Sequence, residues 1–264
     1  MTRPEDIANR FVRARLAAEA LPAFPGDVPA DLQSGYRTQD LAIDLWPDDI
    51  GGWKVGRIPL DLEEAFRSDR LAGPIFRKSI RYVNNGEAQE MSVFAGGFAA
   101  IEAEFVAVIG EDSPKGKLQW TLDEAAAAIR DMRLGLEIAS SPLRTINELG
   151  PAVVVSDFGN NAGLIVGSSI RDWRNRELQS LGCETFIDNR SVGKGGAFKL
   201  TGGPVRSVQF MLELAASRGR PLREGDVIAT GQTTGIHDIL PGQSARIVFD
   251  GDGEVSCTVV AARA

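Results

Sequence analysis

Along the first twenty positions, Ile7, Phe11 and Ala18 recur at close to helical spacing with Arg and Glu between them, which predicts an amphipathic helix over residues 4–20. Residues 21–37 carry Pro22, Pro25 and Pro29 among small polar residues and read as a connection. Thr38 is placed to cap a second helix carrying Leu41 and Leu45, and residues 61–70 read as a third, short and polar helix. The expectation is a mainly helical N-terminal region over residues 1–75.

Beyond residue 75 the period changes. Residues 101–109 alternate and stop at Gly110, as a strand does. Thr121 and Glu124 form a capping box ahead of an alanine-rich helix over 121–132. Residues 133–139 read as a strand, and 151–167 as one or two strands around a Gly/Asn-rich bend. Residues 207–218 read as a helix ended by Gly219. Segments 226–230, 244–250 and 254–261 read as strands, the last two joined through Gly251-Asp252-Gly253. Strands outnumber helices without a βαβ rhythm. The pattern is therefore α+β, with a β-rich domain over 76–264.

Composition narrows the chemistry. The 264 residues are 43% hydrophobic and 25% charged, with a formal net charge of −7, so a globular chain is expected and a nucleic-acid partner is not. No apolar stretch nears the roughly 20 residues of a membrane span, and the start MTRPEDIANRF lacks the apolar middle of a secretory signal. No membrane partner and a cytoplasmic setting are the corresponding expectations. Two cysteines, Cys183 and Cys257, and one histidine, His237, leave nothing from which to build a multi-His/Cys zinc site. Carboxylates, lysine or a hard metal ion must carry any catalysis.

The sharpest feature is Glu102-Ala103-Glu104 inside an apolar strand. Alternation puts both glutamates on one face, with Ile101, Ala103, Phe105 and Ala107 on the other. The pair is either a solvated sheet face or a carboxylate site for Mg²⁺ or Mn²⁺. Glu137, in the apolar run 134–139, needs a partner if buried: a metal, or an arginine such as Arg133 or Arg144. Lys54 in Gly51-Gly52-Trp53-Lys54-Val55-Gly56 is either a turn lysine or an ammonium held close to a ligand. Asp157, where an apolar segment breaks into a bend, is a turn cap, a holder of Lys54 or an anchor for a reacting water. Gly193-Lys194-Gly195-Gly196 lacks phosphate-loop spacing and reads as a flexible loop, and His237 as a loop histidine bonded to nearby backbone.

Taken in order, Gly52 to Gly56, Ile101 to Glu104, Leu136 to Ile138, Asp157 to Gly163 and Gly225 to Gly231 resemble the 2-keto-4-pentenoate hydratases of the fumarylacetoacetate hydrolase superfamily. The resemblance implies a fumarylacetoacetase C-terminal-like mixed β roll with a small helical N-terminal region, assembled as a homo-oligomer. It implies Mg²⁺ or Mn²⁺ at Glu102, Glu104 and Glu137, with Lys54 and Asp157 as proton-transfer candidates. The implied reaction is hydration of a 2-hydroxy-2,4-dienoate to a 4-hydroxy-2-oxo acid, as in aromatic ring-cleavage pathways.

The alternatives are a 2-oxo-enedioate decarboxylase and a non-catalytic partner subunit. A decarboxylase needs a site for a second carboxylate, for which Arg144 and Lys199 are the candidates. Hydrolytic relatives activate water with a His-Glu pair, and the late position of His237 does not match it. The chain departs from the hydratases at Leu71, near which they often carry an acidic residue. It also carries Ser140-Ser141-Pro142 where they tend to carry an arginine.

Overall fold

The computed structural model describes residues 2–264. Helices α1 (Pro4–Ala17) and α2 (Leu32–Leu45) open the chain. Helix α2 begins six residues before Thr38, because Asp31 caps it by accepting from the Ser34 N–H at 2.7 Å. The polar helix expected over 61–70 shrinks to α3 (Glu63–Phe66). It lies between β1 (Ile50–Arg57) and β2 (Arg70–Phe76), an antiparallel pair that joins the large sheet. Residues 50–76, expected within the helical region, thus contribute two strands to the body of the protein.

Next come β3 (Ile80–Tyr82), β4 (Ala88–Val93), β5 (Phe98–Ile109), α4 (Leu122–Ala128) and β6 (Ile129–Ser141). The capping box at Thr121 and Glu124 is present, but α4 stops at Ala128. From Ile129 the chain pairs with β5 along almost its whole length, and that pairing overrides the helical propensity of the alanine run. The segment expected as strand from residue 151 divides. Gly150 at φ 95° and Pro151 start a helix, α5 (Pro151–Ser156), and only β7 (Asn161–Ser169) is extended.

The chain continues with β8 (Gly182–Ile187), β9 (Arg190–Gly196), α6 (Gly203–Ser217), β10 (Val227–Ala229), β11 (Ile236–Asp238), β12 (Ser244–Phe249) and β13 (Gly253–Ala261). Residues 193–196, expected as a loop, belong to β9 and pair with β8. His237 lies on β11 opposite Ile101, with its Nε2 3.1 Å from the Thr234 hydroxyl.

Two mixed sheets result. The eight-stranded sheet runs β2-β1-β10-β5-β6-β7-β3, with β11 also on β5, and the five-stranded sheet runs β4-β13-β12-β8-β9. Phe105 of β5 meets Phe249 of β12 edge-to-face at 5.5 Å, tying the sheets across the main core. Ile101, Ala103, Phe105 and Ala107 enter that core, as alternation requires. A second core holds Ile7, Phe11, Leu32 and Val153 to Val155, and fixes α1 and α2 onto α5. No helix among the described residues is long and apolar enough to cross a membrane.

Candidate metal centre

Glu102 stands directly opposite Glu137 in the β5/β6 register, and Glu104 stands opposite Gly135. Opposed residues share a face, so all three carboxylates project to the same side. They are 2%, 0% and 0% exposed, and an oxygen from each lies within 4.8 Å of the others. Gly135 makes room: a Cβ there would come 3.2 Å from that of Glu104. The solvated-face alternative is therefore wrong, and so is pairing of Glu137 with an arginine.

The partner is Lys54. Strand β1 lies parallel to β10, with Lys54 beside Ala229, which is in turn paired with Val106 of β5. Its Nζ is 3.3 Å from Glu137 Oε1 and 3.8 Å from Glu102 Oε2, and it donates to Asn160 Oδ1 at 3.3 Å. Burial opposes its charge, but Glu102, Glu137 and Glu104 together hold its pKa above the ordinary lysine value.

One ammonium does not balance three carboxylates. Burial, then the neighbouring glutamates, raises the Glu104 carboxyl well above the carboxylate range. Burial also raises Glu137, to about 7, against the pull of Lys54. Glu104 Oε2 accepts the Gly231 N–H at 2.7 Å and Glu137 Oε1 accepts Asn161 Nδ2 at 3.0 Å. Glu104 Oε1 and Glu137 Oε2 are buried with no donor. Two orphaned acceptors and a fully ionised charge of minus two fit a divalent cation with a preference for oxygen.

The motif at 225–231 explains itself here. After β10 the chain turns at Gly231, φ 123°, while Thr230 and Thr233 hydroxyls donate to the Phe105 and Ala103 carbonyls of β5. That anchored turn aims the Gly231 N–H at Glu104.

Asp157 is corrected by the structure. It does not hold Lys54. Both of its oxygens are taken by Arg15, at 2.5 and 3.0 Å, and Oδ2 also accepts from Ser141 at 2.6 Å. Lys54 donates instead to Asn160 and pairs with Glu137 and Glu102. The residues that do reach the site from this bend are Asn160 and Asn161, which the sequence reading passed over. Arg15 was passed over too, although the sequence carries a signal: it sits at i+8 from Ile7 and i+4 from Phe11, on the apolar stripe of α1.

A cavity of about 180 Å³ opens beside Lys54 and Glu102, walled by Leu62, Leu71, Val154 and Ile236. Gly56 keeps the passage clear, since a Cβ there would lie 3.9 Å from Lys54 Nζ and 3.2 Å from Leu71 Cδ1. Gly56, Arg57 and Gln232 also line a second cleft of about 340 Å³, bordered by Arg70, Lys194 and Lys199. Asp69, the acid nearest Leu71 in sequence, borders that cleft and pairs with Arg70. Arg144 borders a different cavity, with Phe98 and Leu240.

The two mixed sheets and the buried carboxylate cluster define a β-roll protein built around a polar centre, and the fold is that of the fumarylacetoacetate hydrolase superfamily. The chain resembles the 2-keto-4-pentenoate hydratases over nearly its whole length. It is 21% identical to 2-keto-4-pentenoate hydratase 2 of Dechloromonas aromatica (strain RCB), over 95% of this chain and 98% of that one. A 4-oxalocrotonate decarboxylase of Pseudomonas putida is 28% identical over 107 residues, 40% of each chain.

Among solved structures, 4-oxalocrotonate decarboxylase from Pseudomonas putida G7, complexed with magnesium and adipate, superposes with a TM-score of 0.80 at 20% identity. That match covers 98% of this chain and 99% of the other. Fumarylpyruvate hydrolase from Pseudomonas aeruginosa, in complex with Mn²⁺ and pyruvate, gives a TM-score of 0.59 at 18% identity over 80% and 89%. No family model matches the sequence.

Proposed function

We propose that this protein is a divalent-metal-dependent lyase acting on an unsaturated 2-oxo acid or its 2-hydroxydienoate enol. The observation that carries the proposal is a buried lysine among three buried carboxylates, with Lys54 and Glu102 of that cluster lining a small, largely apolar cavity. Glu102, Glu104 and Glu137 would hold Mg²⁺ or Mn²⁺. When bound, the cation supplies positive charge against which charge developing on a substrate oxygen is stabilised. Lys54 holds the transferable proton, and Asn160 orients its Nζ.

Within that class the cavity favours loss of carbon dioxide over addition of water. Hydration needs one group to protonate carbon and another to take a proton from water. Lys54 is the sole amine lining the cavity, Glu102 is the sole carboxylate, and Leu71 fills the wall where the hydratases often carry an acid. Decarboxylation of a 2-oxo-enedioate needs no base. The bond to the distal carboxylate breaks with release of carbon dioxide, its electron pair enters the conjugated chain, and Lys54 gives one proton to the resulting dienolate. Arg57 lines the same cavity and is the cation available to receive the second carboxylate, since Arg144 and Lys199 border other cavities. Hydration is the second reading, favoured by similarity to a hydratase across 95% of the chain.

The test is product mass after incubation with 2-hydroxypenta-2,4-dienoate and with a 2-oxo-enedioate, with Mg²⁺ and with chelator. Mg²⁺-dependent loss of carbon dioxide is expected. Mg²⁺-dependent gain of water would replace decarboxylase by hydratase, and no reaction on either would sink both. Lys54→Met should lower kcat by about 10²–10⁴-fold, the usual worth of a positioned proton carrier, while still binding Mn²⁺.

A further inference from the structure

Helix α1 lies outside both sheets, yet it sends one side chain to the edge of the candidate centre. Arg15, 7% exposed, donates from Nε to Asp157 Oδ1 at 2.5 Å and from one terminal nitrogen to the Asn161 carbonyl at 2.9 Å. The other terminal nitrogen reaches Asp157 Oδ2 at 3.0 Å and the Ser140 and Asp157 carbonyls at 3.2 Å each. Its face stacks on Phe94 and Phe158, 5.3 and 5.1 Å from the ring centres. One planar cation therefore holds both ends of the segment 157–161, and ties them to β6, the strand that carries Glu137.

That segment needs holding. Phe158, Gly159 and Asn160 have φ of 55°, 64° and 56°, three left-handed residues in succession, two of them not glycine. The turn is packed tightly: Cβ atoms built on Gly159 would lie 3.0 Å from the Gly73 Cα and 3.1 Å from Lys54 Cδ. Its last two residues then serve the site, Asn160 on the Lys54 ammonium and Asn161 on the Glu137 carboxylate.

We infer that Arg15 is a positioning residue of the metal centre: through its clamp on Asp157 and Asn161 it sets where Asn160 and Asn161 meet Lys54 and Glu137. The inference rests on the reading of Glu102, Glu104 and Glu137 as a metal site. On this account Asp157 acts as the anchor of the clamp and carries no proton. The N-terminal helix is then part of the catalytic apparatus of its own chain.

The experiment measures Mn²⁺ binding to the metal-free protein by the EPR signal of free Mn²⁺, alongside circular dichroism and thermal unfolding. Arg15→Lys keeps the charge but cannot donate to Asp157, Asn161 and Ser140 together. It should stay folded and bind Mn²⁺ about 10–100-fold more weakly, the usual effect of losing an outer partner of a metal ligand. Arg13→Lys, on the exposed side of α1, should bind as the parent does. Asp157→Asn, which breaks the clamp from the other side, should weaken Mn²⁺ binding as Arg15→Lys does. It serves alone if the lysine variant does not fold.

Folded variants that bind Mn²⁺ with the parent's affinity would overturn the inference. A loss of kcat in Asp157→Asn with unchanged Mn²⁺ affinity would also overturn it, and would return Asp157 to a proton-transfer role. A parent that binds no Mn²⁺ would instead remove the metal-site reading itself.

Discussion

The strand pair β5/β6 and the turn at 157–161 deliver polar groups to the same buried point by opposite means. The strands do it by repetition. Alternation sets the face and antiparallel register sets the neighbour, so Glu102, Glu104 and Glu137 converge once the pairing forms. The turn does it by exception, with three left-handed residues held in place by an arginine more than 140 positions away in sequence. A regular element places side chains to within its pleat; an irregular one places them only as well as its tertiary anchors hold it. The strands therefore suit the ligand set, and the turn suits the amides that trim the positions of Lys54 and Glu137.

The largest effect should come from the strands. Glu104→Gln removes a proposed ligand, the carboxylate whose Oε1 has no protein donor. Calorimetric titration with Mn²⁺ should show affinity lower by about a hundredfold or more, beyond the loss from an outer partner. Because the amide keeps shape and relieves the crowding of three buried carboxyl groups, unfolding of the metal-free variant should move to higher temperature. A variant binding Mn²⁺ as tightly as the parent would show that Glu104 is not a ligand.

Two glycine substitutions sharpen the contrast. A Cβ on Gly73 would fall on the backbone carbonyl of Phe158, which the clamped turn cannot move. A Cβ on Gly135 would press chiefly on the Val106 side chain, which can shift. Gly73→Ala should cost about 3 kcal/mol and Gly135→Ala about 1–2 kcal/mol. Denaturant unfolding checks both, and equal costs would mean that the turn is as adaptable as the strands.

The smallest effect is on pH. The Glu137 pKa is raised by burial to about 7, above its unfolded value, so the metal-free fold binds the extra proton. That contribution to stability is complete in acid and is lost as pH rises through about 7. Divalent cation takes the deprotonated carboxylates, so its stabilisation should run the other way. The rise in Tm on adding Mg²⁺ should be larger near pH 8.5 than near pH 5.5, by roughly 1–2 kcal/mol equivalent. A rise independent of pH would mean that Glu137 is already ionised in the metal-free protein.

The alternating strand 101–109, the capped helix at Thr121 and the hairpin at 251–253 were legible in the sequence because each rests on neighbours within a few residues. The shared face of Glu102 and Glu104 was legible too, but whether that face was solvated or buried was not, because the strands and loops that cover it come from elsewhere in the chain. Segments whose state depends on distant partners were not legible either. The alanine run ended early because β5 claimed Ile129, and the valines of 153–155 took a helix because Gly150 and Pro151 started one. Asp157 offered a carboxylate in a bend, and only packing revealed that Arg15 and Ser141 consume it.

What the sequence determined by itself is local: which faces are apolar, where chains turn, and that Glu102 and Glu104 share one face of a strand while Glu137 sits in an apolar run. What tertiary structure alone decided is which of these meet. Lys54 reaches the glutamates because β1 and β5 both pair with β10, and Asn160 and Asn161 reach them because Arg15 holds their turn. The reason is physical: periodicity encodes the direction of a side chain, whereas contact between strands far apart in sequence is chosen by the burial of the whole core.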